Sequence, residues 1–164
     1  MAGASEVMEP FKPGENLFHW DKGKREEVIR VICDILASEP KVLFAYLYGS
    51  FLKDRSFHDI DVGVYLAITE KARANLLAMD LAINLESALK TLLQEKTPPV
   101  DVRVLNWAPP SFAYHVIRGR LLFSRDEDLR VRYCVWAMSR YLDLKPLRDQ
   151  ALVEAIRSWS SIKN

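Results

Sequence analysis

Two aspartates separated by one residue inside an otherwise apolar run, residues 59–66 (DIDVGVYL), constrain this chain more than any other feature of its sequence. The run reads as a strand, and on a strand successive side chains point to opposite faces. Asp59 and Asp61 therefore share one face while Ile60, Val62 and Val64 take the other. Aspartate is a poor strand former, and two carboxylates in contact repel by about 1 to 4 kcal/mol, depending on the local dielectric. A sheet that carries such a pair needs a compensating charge. A hard dication such as magnesium, which prefers oxygen ligands, is the natural partner.

The flanking segments say what kind of sheet this is. Residues 24–38 place Val28, Ile29, Ile32, Ile35 and Leu36 at helical spacing, with Glu26 and Glu27 in the first turn, where the helix dipole favours them. Pro40 stops that helix, and residues 42–48 (VLFAYLY) form a nearly continuous apolar run, the pattern of a strand covered on both faces and ended by Gly49 and Ser50. A polar loop at 53–56 leads into the aspartate strand. Thr69 and Glu70 open a long helix with Leu76, Leu77, Leu81, Ile83, Leu85, Leu89 and Leu92, which Thr97, Pro98 and Pro99 terminate. Residues 100–105 (VDVRVL) are a third strand, Pro109 and Pro110 start a short helix that Gly119 caps, and residues 121–123 are an edge strand. Asp126 or Asp128 opens a helix carrying Leu129, Val131, Tyr133, Val135, Trp136 and Met138, and Pro146 begins a separate last helix. This order predicts an α/β (α+β) domain, a small mixed sheet with helices packed on it. The expected divisions are an N-terminal arm at 1–22, a core at 23–125 and a C-terminal helical extension of the same domain at 126–164. Phe11, Phe18 and Trp20 of the arm are expected to pack on the body.

Composition narrows the function. With 164 residues and 49% apolar content, one domain can bury a real core. The 23 basic and 22 acidic residues nearly cancel, so the strongly positive field selected by long nucleic acids or anionic membranes is missing. The opening residues lack the apolar core of a secretory signal, Ala2 stands where myristoylation needs glycine, and no apolar run is long enough to span a bilayer. These features predict a cytoplasmic protein. Cys33 and Cys134 belong to no metal or redox motif and read as buried, unpaired thiols.

Asp101 opens the third strand, and if that strand lies beside the second its carboxylate joins Asp59 and Asp61. Gly49 and Ser50 read as the other half of a phosphate site: glycine lets the backbone approach an anion closely, and serine adds a hydroxyl and an amide donor. Lys53 and Arg55 either neutralise phosphate charge or are ordinary solvated charges. Arg103 shares a face with Asp101 and is read either as reaching nucleotide or product or, more conservatively, as forming a salt bridge to a carboxylate. His58 and Asp59 spell the HD dipeptide of metal phosphohydrolases, but only His19 and His115 remain to complete such a set, and that chemistry is set aside. His115 reads as packed, and Tyr133, Trp136 and Tyr141 most simply as core, with a partner surface formed by an exposed part of that set and the arm as the alternative. No GxxxxGK[ST] phosphate loop is present.

The arrangement Gly49-Ser50-x8-Asp59-Ile60-Asp61, with Asp101 as a third carboxylate, resembles the signature of the polymerase-β-like nucleotidyltransferase superfamily over about residues 24–105. The remainder, including Asn106, Pro109, Pro110, Gly119 and residues 140–143 (RYLD), is similar to the minimal nucleotidyltransferase antitoxins of prokaryotes. The resemblance implies that Asp59, Asp61 and Asp101 hold two magnesium ions and that Gly49 and Ser50 bind the β and γ phosphates of ATP. Asp101 would also favour loss of a proton from the acceptor hydroxyl. It further implies transfer of AMP to a tyrosine of a HEPN-domain ribonuclease toxin, the partner in a hetero-oligomer. A small hydroxylated acceptor such as an aminoglycoside, or neutralisation of a partner by binding alone, are the competing readings.

Overall fold

A computed structural model describes residues 17–161. Five helices and four strands follow in the order α1 (Lys22–Ser38), β1 (Val42–Tyr48), α2 (Ser50–Lys53), β2 (Ile60–Leu66), α3 (Lys71–Leu93), β3 (Val100–Val104), α4 (Pro110–Ile117), β4 (Arg120–Ser124) and α5 (Glu127–Ser161). The strands form one mixed sheet in the order β3-β2-β1-β4. β1 is antiparallel to both its neighbours, whereas β2 and β3 run parallel, joined by the crossover helix that a parallel pair requires. The expected α+β architecture is what the chain adopts, with β4 on an edge as its short apolar run predicts.

Both faces of the sheet are covered, and alternation along the strands decides what each face meets. Ala45 and Leu47 of β1 with Ile60, Val62 and Val64 of β2 pack under Val28, Ile32 and Leu36 of α1 and Leu81, Leu85 and Leu89 of α3. Phe44, Tyr46 and Tyr48 point the other way, toward Ala113 and Val116 of α4 and Tyr133 and Ala137 of α5. Gly63 lets α4 lie close on this second face, because a Cβ there would come within 2.6 Å of Val116 Cγ1.

Three local devices set where the elements begin and end. Asp21 caps α1 by accepting the Lys24 N–H at 2.9 Å, so the helix starts before the expected residue 24 and Glu26 falls beyond its first turn. Glu26 instead accepts both guanidinium arms of Arg120, at 2.6 and 3.0 Å, and ties α1 to β4. Asn106 acts as a substitute strand residue at the end of the parallel pair: its amide donates to Leu66 O at 2.7 Å and accepts from Leu66 N at 2.9 Å.

Several expectations are corrected. Pro146 does not start a new helix; α5 runs through it without a break. Proline removes one hydrogen bond to the preceding turn, but no glycine or turn dipeptide flanks it here to convert that loss into a reversal. The loop after Gly49 contains one helical turn, α2, that no periodicity could reveal in four residues. Cys33 and Cys134 are free, as expected, but only partly buried, with Cys33 Sγ directed at Leu122 O (3.4 Å). Of the arm, Phe18 and Trp20 pack as expected, on Phe57 at ring separations of 5.8 and 5.1 Å. Phe11 and most of the arm lie outside the described residues. Among those described, no helix is long and apolar enough to cross a membrane.

Candidate active site

Strand register brings the acidic residues together. Asp61 of β2 lies opposite Asp101 of β3 on one side and opposite Tyr48 of β1 on the other, so the three side chains form a row across three adjacent strands. Neighbouring strands lie about 4.8 Å apart, which puts the two carboxylates within direct electrostatic reach. β3 is aligned by α3: Glu86 accepts the Val100 N–H at 2.9 Å, one residue before Asp101. Asp59 precedes the strand, which begins at Ile60, yet its charge still acts on Asp61. The backbone of Gly49 closes the row from above β1. Its φ of 82° and ψ of −162° belong to a region that only glycine enters freely, and a Cβ would sit 2.1 Å from Asp61 Oδ2.

The electrostatics reflect this crowding. Burial first, then the charges of Asp59 and Asp101, push the half-buried Asp61 carboxyl up to about 6, with Arg103 opposing them. Tyr48 is pushed well above the ordinary phenol range by burial and by the nearby Asp61 and Asp101, so it stays neutral. Asp101 is engaged by Arg103, whose Nε donates to Oδ2 at 2.7 Å, so the carboxylate that the expected salt bridge takes is Asp101. Among the described residues no three His, Cys, Asp or Glu side chains are already gathered as a metal-ligand set. The arginine holds the third carboxylate, and mutual repulsion acts on the other two.

Asp61, Asp101 and Arg103 line a cleft of about 590 Å³ that continues to Trp107, Phe112 and His115, with Lys71 and Asn75 of α3 at its margin. The volume suits a small-molecule ligand. Lys53 and Arg55 are exposed and line a different hollow, of about 450 Å³, with Arg25 and Arg120. His115 is not packed in the core as its apolar neighbours suggest; it is exposed and meets Tyr48 edge-on at 5.6 Å. Tyr48, Trp107, Phe112, Lys71 and Asn75 are cleft residues with no signal in the linear sequence. Tyr48 joins the row only through the β1–β2 register. The others are carried there by the turn after β3, by α4 and by the start of α3.

The polymerase beta nucleotidyltransferase family model matches residues 30–128. Comparison with curated protein sequences finds no match. Among solved structures, the chain is similar to one from the complex of tri-AMPylated Shewanella oneidensis HEPN toxin with MNT antitoxin. The two are 25% identical, with 81% of this chain and 98% of that chain covered at a TM-score of 0.60. A chain from a toxin–antitoxin structure with AMP-PNP is 26% identical, with 79% and 98% covered at a TM-score of 0.61. A chain from the toxin–antitoxin MntA–HepT is 24% identical, with 84% and 99% covered at 0.55, a likeness of fold. With a match over more than half its length and the acidic row crossing three strands of a mixed sheet, the chain belongs to the polymerase beta nucleotidyltransferase family.

Proposed function

We propose that this nucleotidyltransferase is the antitoxin of a cytoplasmic toxin–antitoxin pair, a magnesium-dependent adenylyltransferase that moves AMP from ATP to a tyrosine of a HEPN-domain toxin. The observation that carries the reading is the row Tyr48, Asp61, Asp101 beside a turn that only glycine makes, opening into a nucleotide-sized cleft. The likeness to chains from complexes holding an AMPylated HEPN toxin and AMP-PNP supports the acceptor and the donor. Helix α5 adds support for a protein partner, since Leu142, Leu147, Leu152 and Ile156 are exposed along it.

The donor set fits magnesium: all its ligands would be carboxylate oxygens, and the charge crowded around Asp61 is what a dication offsets. Asp59, Asp61 and Asp101 would hold the ions, which supply charge neutralisation to the triphosphate and to the attacking and leaving oxygens. Gly49 offers its backbone, and Ser50 its hydroxyl and amide, to the β and γ phosphates. Asp101, two strands away from that turn, favours loss of the proton from the acceptor hydroxyl. The acceptor oxygen then bonds to the α phosphorus while the bond to the bridging oxygen breaks and pyrophosphate leaves. Lys53 and Arg55, facing the neighbouring hollow, add positive potential at longer range.

Incubation with α-labelled ATP, magnesium and the HEPN protein should label the toxin on tyrosine, and the variant Asp59→Asn with Asp61→Asn should abolish labelling. Label found only on a small alcohol such as an aminoglycoside would overturn the acceptor. Undiminished neutralisation by the double variant would mean that the toxin is silenced by occlusion alone.

A further inference from the structure

One guanidinium ties down the loop that joins the glycine turn to the acidic pair. Arg25 lies in the first turn of α1 and is partly buried. Its Nε donates to Trp20 O at 3.1 Å, its Nη1 to Phe51 O, and its Nη2 to Asp54 O at 2.8 Å and Arg55 O at 3.0 Å. Three of these four acceptors are consecutive or nearly consecutive carbonyls of the segment 51–55. The cation also lies over the rings of Phe51 and Phe57, at 5.4 and 5.0 Å. Phe57 is held in turn by Phe18, through backbone bonds of 2.8 and 3.1 Å in both directions.

The same segment is bonded directly to the turn. Leu52 N–H donates to Gly49 O at 3.3 Å, and Asp54 N–H donates to Ser50 O at 2.9 Å. A shift of the 51–55 carbonyls therefore reaches Gly49 and Ser50 through single hydrogen bonds. Arg25 itself lines the hollow outside the cleft, so beyond the long-range potential it shares with Lys53 and Arg55, which a lysine in its place would keep, its influence on a bound nucleotide passes through this loop. A planar fork of five donors holds several divergent carbonyls in fixed directions; a lysine ammonium keeps the charge and three donors but not the fork.

We propose that Arg25 is a positioning residue of the nucleotide site: by fixing the carbonyls of residues 51–55 it holds Gly49 and Ser50 where they meet the triphosphate. This rests on the reading of Gly49 and Ser50 as the phosphate-binding turn, and the test separates the two. AMP-PNP affinity with magnesium is measured by calorimetry for Arg25→Lys, Arg25→Ala, Ser50→Ala and the double variant R25K/S50A. KM for ATP and for the toxin are measured separately. Misplacement of a positioning group by about 1 Å costs on the order of a hundredfold in rate, so kcat/KM for ATP should fall toward that loss in R25A and about tenfold in R25K, with AMP-PNP affinity falling in the same order. KM for the toxin should stay within about twofold, because the exposed apolar residues of α5 read as the partner surface lie on a different element from this turn, and R25K/S50A should be little worse than the poorer single variant, because the two act as one unit. Amide exchange at Leu52 and Asp54 should quicken in R25K.

Wild-type nucleotide affinity in R25K, with affinity lost in S50A, overturns the role of Arg25 and leaves the turn standing. Unchanged affinity in both S50A and Gly49→Ala overturns the turn, and the proposal with it. If R25A does not fold, R25K carries the test. Equal losses in ATP and toxin affinity alongside a lower Tm would make Arg25 a residue of general stability and end the proposal.

Discussion

Replacing Gly49 by alanine tests the geometry at the centre of the site. The backbone there has φ of 82° and ψ of −162°, a conformation that costs a residue with a Cβ about 1 to 3 kcal/mol. The new methyl would also begin 2.1 Å from Asp61 Oδ2, far inside van der Waals contact. Overpacking of this kind typically costs about 1 to 3 kcal/mol. Asp61 is half-buried and can swing partly aside, so the combined loss falls near 2 to 4 kcal/mol, or roughly 5 to 15 °C in Tm for a chain of this size. Calorimetric melting in EDTA measures it, with AMP-PNP binding followed in parallel. Removing the carboxylate with Asp61→Ala in the Gly49→Ala background should recover the steric part and leave the backbone part, a coupling of about 1 to 3 kcal/mol. A G49A protein with wild-type Tm and wild-type nucleotide affinity would refute the reasoning, since neither the backbone conformation nor the contact with Asp61 would then exist.

Other consequences follow from charge and hydrogen bonding. In metal-free protein Asp61→Asn should raise Tm at pH 7.5, and with magnesium restored the same variant should fail to transfer AMP. The folded-state value of about 6 exceeds the ordinary 3.8, so the ionised form is disfavoured in the fold; the penalty is full above 6 and fades as pH falls through 6 toward the unfolded value. Two units correspond to at most about 3 kcal/mol, and half-exposure reduces that to about 1 kcal/mol, so the variant and wild type should differ by about 3 °C at pH 7.5 and converge near pH 4. Arg103→Gln releases Asp101 from an exposed pair and should lower the magnesium concentration for half-maximal transfer by about two- to fivefold; an increase would mean that the arginine assists the site. Asn106→Ala deletes both bonds to Leu66 and should cost about 1 to 3 kcal/mol in urea unfolding, with an unchanged m-value showing that only stability has altered.

Much of the fold was legible because periodicity is local. The apolar spacing in α1 and α3 and the continuous run of β1 reflect which faces each element must bury, and the structure buries most of those positions, while Leu76, Ile83 and Leu92 of α3 stay exposed. Element ends were less legible because they depend on single side chains and on neighbours. Asp21 moves the start of α1 forward through one cap, and four residues of α2 are too few for any period. Pro146 shows the limit of reading one residue as punctuation: a proline specifies one lost hydrogen bond, and the surrounding helix formers decide whether the chain turns there.

The chemistry on offer is written in the linear chain: two aspartates one residue apart in an apolar run, a third on a later strand, and a glycine followed by serine at a strand end. Those are properties of side-chain type and spacing. That Asp101 faces Asp61, that Tyr48 stands on the other side, and that Gly49 packs against the Asp61 carboxylate emerge from folding, because register between strands is fixed by the whole core and not by either strand alone. The same holds for Arg25, whose four carbonyl partners are up to 30 residues away and meet it only when α1 packs beside the loop.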